Sequence, residues 1–284
     1  MSLCTIGEQD KPCYVSKEKG RAMSGRKKYF FFDYDGTLAI PRTREIPQTT
    51  IETLDQLRAE GHMVALATGR LQINALNYIS TVGIDNIVAD GGYSVTIDGM
   101  LRWIRPLDLE PVKACLHRLD ALNVPWAVTT ANELVRYSNN PDFERIAGDY
   151  YVPTRYVEDL SIDSLTEVYK VYIPCKLGSE EDLRAKGALE GVPSVRYNPD
   201  TIFVEPMDKH IGIKMMMDEF GAPYEDVVVF GDGMNDLTMF RPEWTSIAMG
   251  NARDVLKERA DYITDDVDKD GIMKACKHFG WIAQ

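Results

Sequence analysis

Asp33 and Asp35 stand two residues apart in the run Asp33, Tyr34, Asp35, Gly36, Thr37, Leu38, directly after the aromatic stretch Tyr29 to Phe32. Such a stretch suits a buried strand closing in a polar loop, which places both acids at a strand's carboxyl end, the edge where open α/β sheets bind ligands. Neighbouring carboxylates repel unless they share a cation, so the pair points to metal-assisted chemistry. Taken alone, the hexapeptide reads equally well as a solvated turn. A second acid pair, Asp232 and Asp236, follows the apolar run Val227 to Phe230 through Gly231. If the two strands are neighbours, four carboxylates face one cleft. With no clustered His or Cys beside them, so oxygen-rich a site suits Mg²⁺ better than zinc or copper. Singly, Asn235 and Asp236 also suit a helix cap.

Two further stretches offer groups for an anion. Thr68 and Gly69 end the apolar run Met63 to Ala67, where a hydroxyl and close backbone N–H groups would cradle a phosphoryl oxygen; the bland alternative is a helix cap. Lys209 precedes a Met-rich helical stretch, a place where the helix dipole disfavours a cation, so it is either functional or an ordinary surface lysine.

The elements that must position these residues alternate. Strand-like runs at 27–32, 63–67 and 87–92 are separated by helical spacing over Ile51, Leu54 and Leu57, opened by Pro47 and closed by Gly61, and by a second helical stretch after Arg70. This alternation implies a doubly wound parallel α/β sheet. From Tyr93 to Val195 the texture changes to hairpins (95–104 with an Asp98-Gly99 turn, 126–137), helices near 109–122 and 180–189, and a strand at 168–173. The segment 93–195 therefore reads as an inserted α+β cap domain, and 27–92 with 196–284 as the core. After the insert come a strand at 201–204, a helix at 211–220, the strand at 227–230 and short strands near 246–249 and 262–263. Residues 1–26 read as a loosely ordered extension.

The chain has 284 residues, 44% of them hydrophobic, enough for a real core. A formal net charge of -12 argues against nucleic acid or an anionic membrane as a partner. Five scattered cysteines without metal-ligand spacing suggest reduced thiols, and no apolar run reaches a membrane span or a secretory signal, so the cytoplasm is the expected location. Nothing in the sequence speaks to oligomeric state.

Together, Asp33 to Leu38, Ala67 to Arg70, Lys209 and Gly231 to Asp236 resemble the four ordered motifs of the haloacid dehalogenase superfamily over residues 28–275. The large insert between the second and third motifs looks most like the Cof-type small-molecule phosphatases. The resemblance implies a Rossmann-like core with a cap and a Mg²⁺-dependent phosphatase acting on a small phosphorylated metabolite, such as a sugar phosphate. Asp33 is then the nucleophile that forms an aspartyl-phosphate, and Asp35 the general acid and base. Mg²⁺ is held by Asp33, the Asp35 backbone carbonyl and Asp232, with Asp236 a ligand or a support. Thr68, Gly69, Lys209 and Asn235 bind phosphate. Asp90, where relatives often carry Asn before Gly, stays outside the catalytic set; His210 stands where relatives commonly have Gly. Trp103, Trp126, Arg136 and Tyr137 are either sugar contacts or cap core. A phosphohexomutase and a catalytically silent phosphometabolite-binding protein remain as alternative functions.

Overall fold

The computed structural model describes residues 25–147 and 152–283. Fourteen strands among these residues form two sheets. In chain order they are β1 (Tyr29–Phe32), β2 (Met63–Ala67), β3 (Asn86–Ala89), β4 (Ser94–Ile97), β5 (Met100–Ile104), β6 (Ala127–Thr129) and β7 (Arg136–Ser138). Then follow β8 (Thr154–Tyr156), β9 (Lys170–Pro174), β10 (Ser194–Arg196), β11 (Thr201–Val204), β12 (Val227–Gly231), β13 (Thr245–Ala248) and β14 (Tyr262–Ile263).

The larger sheet has the order β14-β13-β12-β1-β2-β3-β4-β5, parallel from β14 to β3 and antiparallel at its last two strands. Covered on both faces, its central strands are apolar throughout: Phe30, Phe31 and Phe32 are fully buried, and Phe32 stacks on Phe230 with ring centroids 4.8 Å apart. Register fixes the site. Phe32 lies level with Phe230 on one side and Leu66 on the other, so Asp33, Asp232 and Thr68 emerge together at one sheet edge. The helix Gln48–Ala59 buries Thr50, Thr53, Leu54 and Leu57, one face at helical spacing, and Gly61 beyond it takes the left-handed backbone that ends it.

The smaller sheet, β10-β11-β9-β6-β7-β8, is antiparallel apart from the β7–β8 pair and has its own apolar cluster, with Val128, Val171 and Ile202 at its centre and the helix Leu109–Ala121 packed on it through Val112, Leu116 and Leu119. Sheet membership departs from the sequence reading at both joints. The Asp98-Gly99 hairpin, expected in the insert, extends the larger sheet: β4 pairs antiparallel with β3, and the two turn residues, both at positive φ (51° and 73°), fold β5 straight back onto β4. Thr201–Val204, expected in the core, pairs with β9 and β10 in the smaller sheet. The chain thus leaves the larger sheet after Ile104 and the smaller after Val204. Apolar composition reports that a strand is buried but not which sheet buries it.

Of the extension expected over 1–26, residues 1–24, with Cys4 and Cys13, lie outside the described residues; Arg26 is anchored, 2.6 Å from Asp226. Cys115, Cys175 and Cys276 are buried free thiols. Among the described residues no helix is long and apolar enough to cross a membrane.

Candidate active site

Lys209 is the hub of the site. It starts the helix Lys209–Glu219, two residues earlier than the apolar spacing suggested, and it is fully buried. Its Nζ donates to Asp33 Oδ1 and to Asp236 Oδ1, both at 2.6 Å. Burial pulls the ammonium's pKa down, but Asp236 and Asp33 outweigh it and the net direction is up. The surface-lysine alternative is thereby excluded. The dipole cost of a cation at a helix start is offset by two carboxylates.

Asp236 is fully buried, and its second oxygen accepts the backbone N–H groups of Asp232 (3.0 Å) and Gly233 (2.9 Å). With one oxygen on Lys209 and the other on this turn, Asp236 shapes the loop that presents Asp232. Thr37 Oγ1 donates to Asp232 Oδ1 at 3.2 Å. Gly36 takes φ 98°, and a Cβ there would run into the Asp232 carboxylate, so the residue type and the close approach require each other.

Carboxylate oxygens of Asp33, Asp232 and Asp236 lie within 4.8 Å of one another. Burial, then Asp236, pushes Asp33 up to about 7; burial, then Asp33, pushes Asp232 up to about 8. Three acids and one lysine leave an excess of negative charge at the base of the cleft. Hard oxygen donors with that deficit fit a divalent cation.

Asp35 points elsewhere. Its carboxylate is half-exposed and receives Arg70 Nη2 at 2.9 Å, while the guanidinium also lies over Tyr34 and Tyr78, both at 5.5 Å. Tyr34 packs against Tyr78, ring centroids 4.0 Å apart. Thr68 is buried and caps no helix: the next one starts at Gln72 after Leu71, and Thr68 Oγ1 instead accepts the Arg70 N–H at 3.2 Å. Thr68, Gly69 and Asn235 join Asp33, Asp35 and Asp232 in lining one cleft of about 870 Å³, open between the two sheets.

Sequence reasoning missed the other wall of this cleft. Lys170 and Tyr197 line it from the side of the smaller sheet, and Arg44, Arg70 and Arg253 line the cleft from loops of the larger one. Arg70 sat in a motif already singled out, and Lys170, a charge inside an apolar run, was a signal that could have been read. Nothing in spacing marks Tyr197. Of the aromatic and cationic residues weighed as sugar contacts, Trp126 is buried with Nε1 on Asp120, Arg136 is fully buried against Phe143 and Tyr172, Tyr137 donates to Glu133, and Trp103 packs on the larger core. None of the four lines the cleft. His210 also stays out of it, and burial, then Arg241, lowers its imidazole pKa.

Asp90 is buried with φ 49°; Oδ2 accepts the Gln72 N–H (3.0 Å) and Ser94 Oγ–H (2.7 Å), and Oδ1 has no hydrogen-bond partner. Burial pushes its carboxyl up to about 6 from 3.8, against the opposing pull of Ser94. The folded protein holds this proton more tightly than the unfolded chain does. Its stabilising contribution is therefore whole below the unfolded value, falls as pH rises and is lost above the folded value. Asp90→Asn keeps an acceptor for both donors and carries no charge. Relative to wild type it is expected to gain roughly 2 to 3 kcal/mol at pH 8 over its standing at pH 4, read from denaturant melts at both pH values. A mutant-to-wild-type difference independent of pH would contradict this.

The sequence pattern of the haloacid dehalogenase-like hydrolases matches residues 30–276. YkrA of Bacillus subtilis, which bears a provisional phosphatase name, is 30% identical over 257 residues, 89% of this chain and 98% of that one. The B. subtilis 5-amino-6-(5-phospho-D-ribitylamino)uracil phosphatase YitU is 26% identical over 87% of this chain and 95% of its own. Among solved structures, the subclass IIB sugar phosphatase BT4131 superposes with a TM-score of 0.73 at 30% identity, covering 90% of this chain and all of that one. A buried acid cluster at the carboxyl edge of a parallel sheet, a second sheet across the cleft, and agreement along almost the whole length converge: the chain belongs to the haloacid dehalogenase-like hydrolase family, as a Cof-type phosphatase of phosphoric monoesters.

Proposed function

We propose that the protein is a Mg²⁺-dependent phosphatase of small phosphorylated polyols and sugars, working through an aspartyl-phosphate on Asp33. The observation that carries this reading is the Lys209 bridge: one buried ammonium held 2.6 Å from both Asp33 and Asp236, beside Asp232. Lys209 orients the Asp33 carboxylate and offsets part of its charge. Asp33 and Asp232, with the Asp35 backbone carbonyl, would hold Mg²⁺, and Asp236 supports the loop from behind. When bound, the ion supplies charge neutralisation for the phosphoryl oxygens.

The residues then divide the work. Asp33 Oδ attacks phosphorus, the bond to the leaving alcohol oxygen breaks, and Asp35 gives that oxygen its proton. Asp35 must first release Arg70, whose guanidinium can then turn one of its N–H groups to a phosphoryl oxygen or the substrate. Asp35 then takes a proton from water, which attacks the phosphoryl group, releases inorganic phosphate and restores Asp33. Thr68 Oγ1 and the neighbouring amides hold the transferring oxygens, Asn235 contacts the phosphate from the opposite loop, and Lys209 keeps its charge throughout. The segment carrying the second sheet serves as a cap that excludes water and selects the leaving group, through Tyr197, Asn198 and Phe203 on its cleft side. Both a sugar phosphatase and a ribityl-phosphate phosphatase among the relatives act on phosphates of polyhydroxylated carbon chains, which favours that class here.

Phosphate release from a panel of sugar, polyol and nucleoside monoesters tests the proposal. Activity is expected to vanish in chelator, to return on adding Mg²⁺, and to be highest on the polyol and sugar esters. Full activity in chelator would refute the metal requirement, and a preference for nucleotides would refute the substrate class.

A further inference from the structure

Lys170 opens β9 in the smaller sheet, yet its ammonium is buried and reaches the loop of the larger sheet. Nζ donates to the Gly69 carbonyl at 2.8 Å. It also lies 2.5 Å from Glu205 Oε2, an ion contact set off the line of a hydrogen bond. Glu205 is itself fully buried and accepts the Tyr197 hydroxyl on its other oxygen. Gly69 makes this convergence feasible: a Cβ there would stand 2.5 Å from Tyr197 Oη and 2.6 Å from Glu205 Oε1. Burial alone would lower the Lys170 pKa, but Glu205, Tyr172 and Asp90 together outweigh it, so the ammonium stays charged.

The Gly69 carbonyl and the Arg70 N–H belong to one peptide unit. Lys170 holds its oxygen end, and its N–H end donates to Thr68 Oγ1 at 3.2 Å. A cation on the carbonyl polarises the amide and strengthens its N–H as a donor. That bond occupies a lone pair of the Thr68 hydroxyl and leaves the hydroxyl proton for another acceptor in the cleft. A lysine that merely pinned two sheets together could use any carbonyl; this one uses the peptide that ends on Thr68.

We propose that Lys170 is a positioning residue for phosphoryl transfer, acting through the Gly69–Arg70 peptide to aim and strengthen the Thr68 hydroxyl as a donor to the transferring phosphoryl group. This rests on the reading of Thr68 as a phosphoryl contact. Glu205 and Tyr197 hold the lysine at the carbonyl.

Steady-state kinetics with p-nitrophenyl phosphate on single and combined variants tests the relay. Lys170→Met is expected to lower kcat roughly 10- to 100-fold with KM changed less than about threefold, and Lys170→Arg to recover part of the loss. Because Lys170→Met strands a buried carboxylate, Lys170→Met/Glu205→Gln repeats the measurement with a neutral pair, its folding checked by melting. Adding either change to Thr68→Val should cost less than about threefold beyond Thr68→Val alone, since both act through one hydroxyl. Wild-type kcat in the neutral-pair variant, or losses that multiply in full on the Thr68→Val background, would overturn the relay. Wild-type kcat in Thr68→Val itself would instead overturn the phosphoryl role of Thr68.

Discussion

Asp33→Asn is expected to abolish phosphate release, lowering kcat by about 10⁴-fold or more, and to leave a folded protein. An amide has the shape of the carboxylate but is too weak a nucleophile to form the covalent intermediate. Its carbonyl oxygen can still accept the Lys209 Nζ–H now received by Asp33 Oδ1, so the buried ammonium keeps both partners. Removing one of three crowded acids also relieves repulsion, since burial and Asp236 already hold the Asp33 carboxyl near 7. Melting at or above that of wild type in metal-free buffer with turnover gone is the expected pair of results, and the melting rise that Mg²⁺ gives wild type should shrink. Turnover above about 1% of wild type would remove Asp33 as the nucleophile.

Lys209→Met fails in a different way. It is expected to lose turnover and also fold stability, by roughly 3 to 5 kcal/mol, because two carboxylates are left buried without their shared cation. The lysine is fully buried and Asp236 completely so, with no solvent to take over the charge. Chemical denaturation of both proteins in chelator measures the cost, and Mg²⁺ should restore part of the stability without restoring activity. Should Lys209→Met melt like wild type, the bridge would carry no weight in the fold. The two substitutions therefore separate chemistry from architecture, although the residues are in direct contact.

Much of this was legible in the chain. Phe30 to Phe32 and Val227 to Phe230 announce buried parallel strands, and the acids following each run mark the functional edge before any coordinates are known. Asp33, Thr68, Asp232 and Asp236 meet because the strands before them stand in register. The Asp35 carboxylate turns out to face Arg70, which spacing could not foresee, because two rotatable side chains rather than a backbone register decide it. The second wall was hidden for a related reason. Lys170 and Glu205 are 35 positions apart and attached to different strands, with no periodicity linking them. Residue type alone left Trp126 and Arg136 open as sugar contacts or as cap core. Each is consumed by a small core that needs bulky side chains to exclude water.

The central pairing of β1 with β12 has a kinetic meaning as well. Thr37 and Asp232, in contact across that junction, are 195 residues apart in the chain. Closing so long a loop costs entropy that grows only logarithmically with length, but it must be met before native contacts repay it. Collapse of the intervening segment around its own apolar cluster shortens the effective loop, which favours joining the halves of the larger sheet after that segment has formed. The acid cluster is assembled by this last junction. Recovery of turnover during refolding thus reports completion of the whole sheet, and a chain stalled halfway carries all of its catalytic residues but no catalyst.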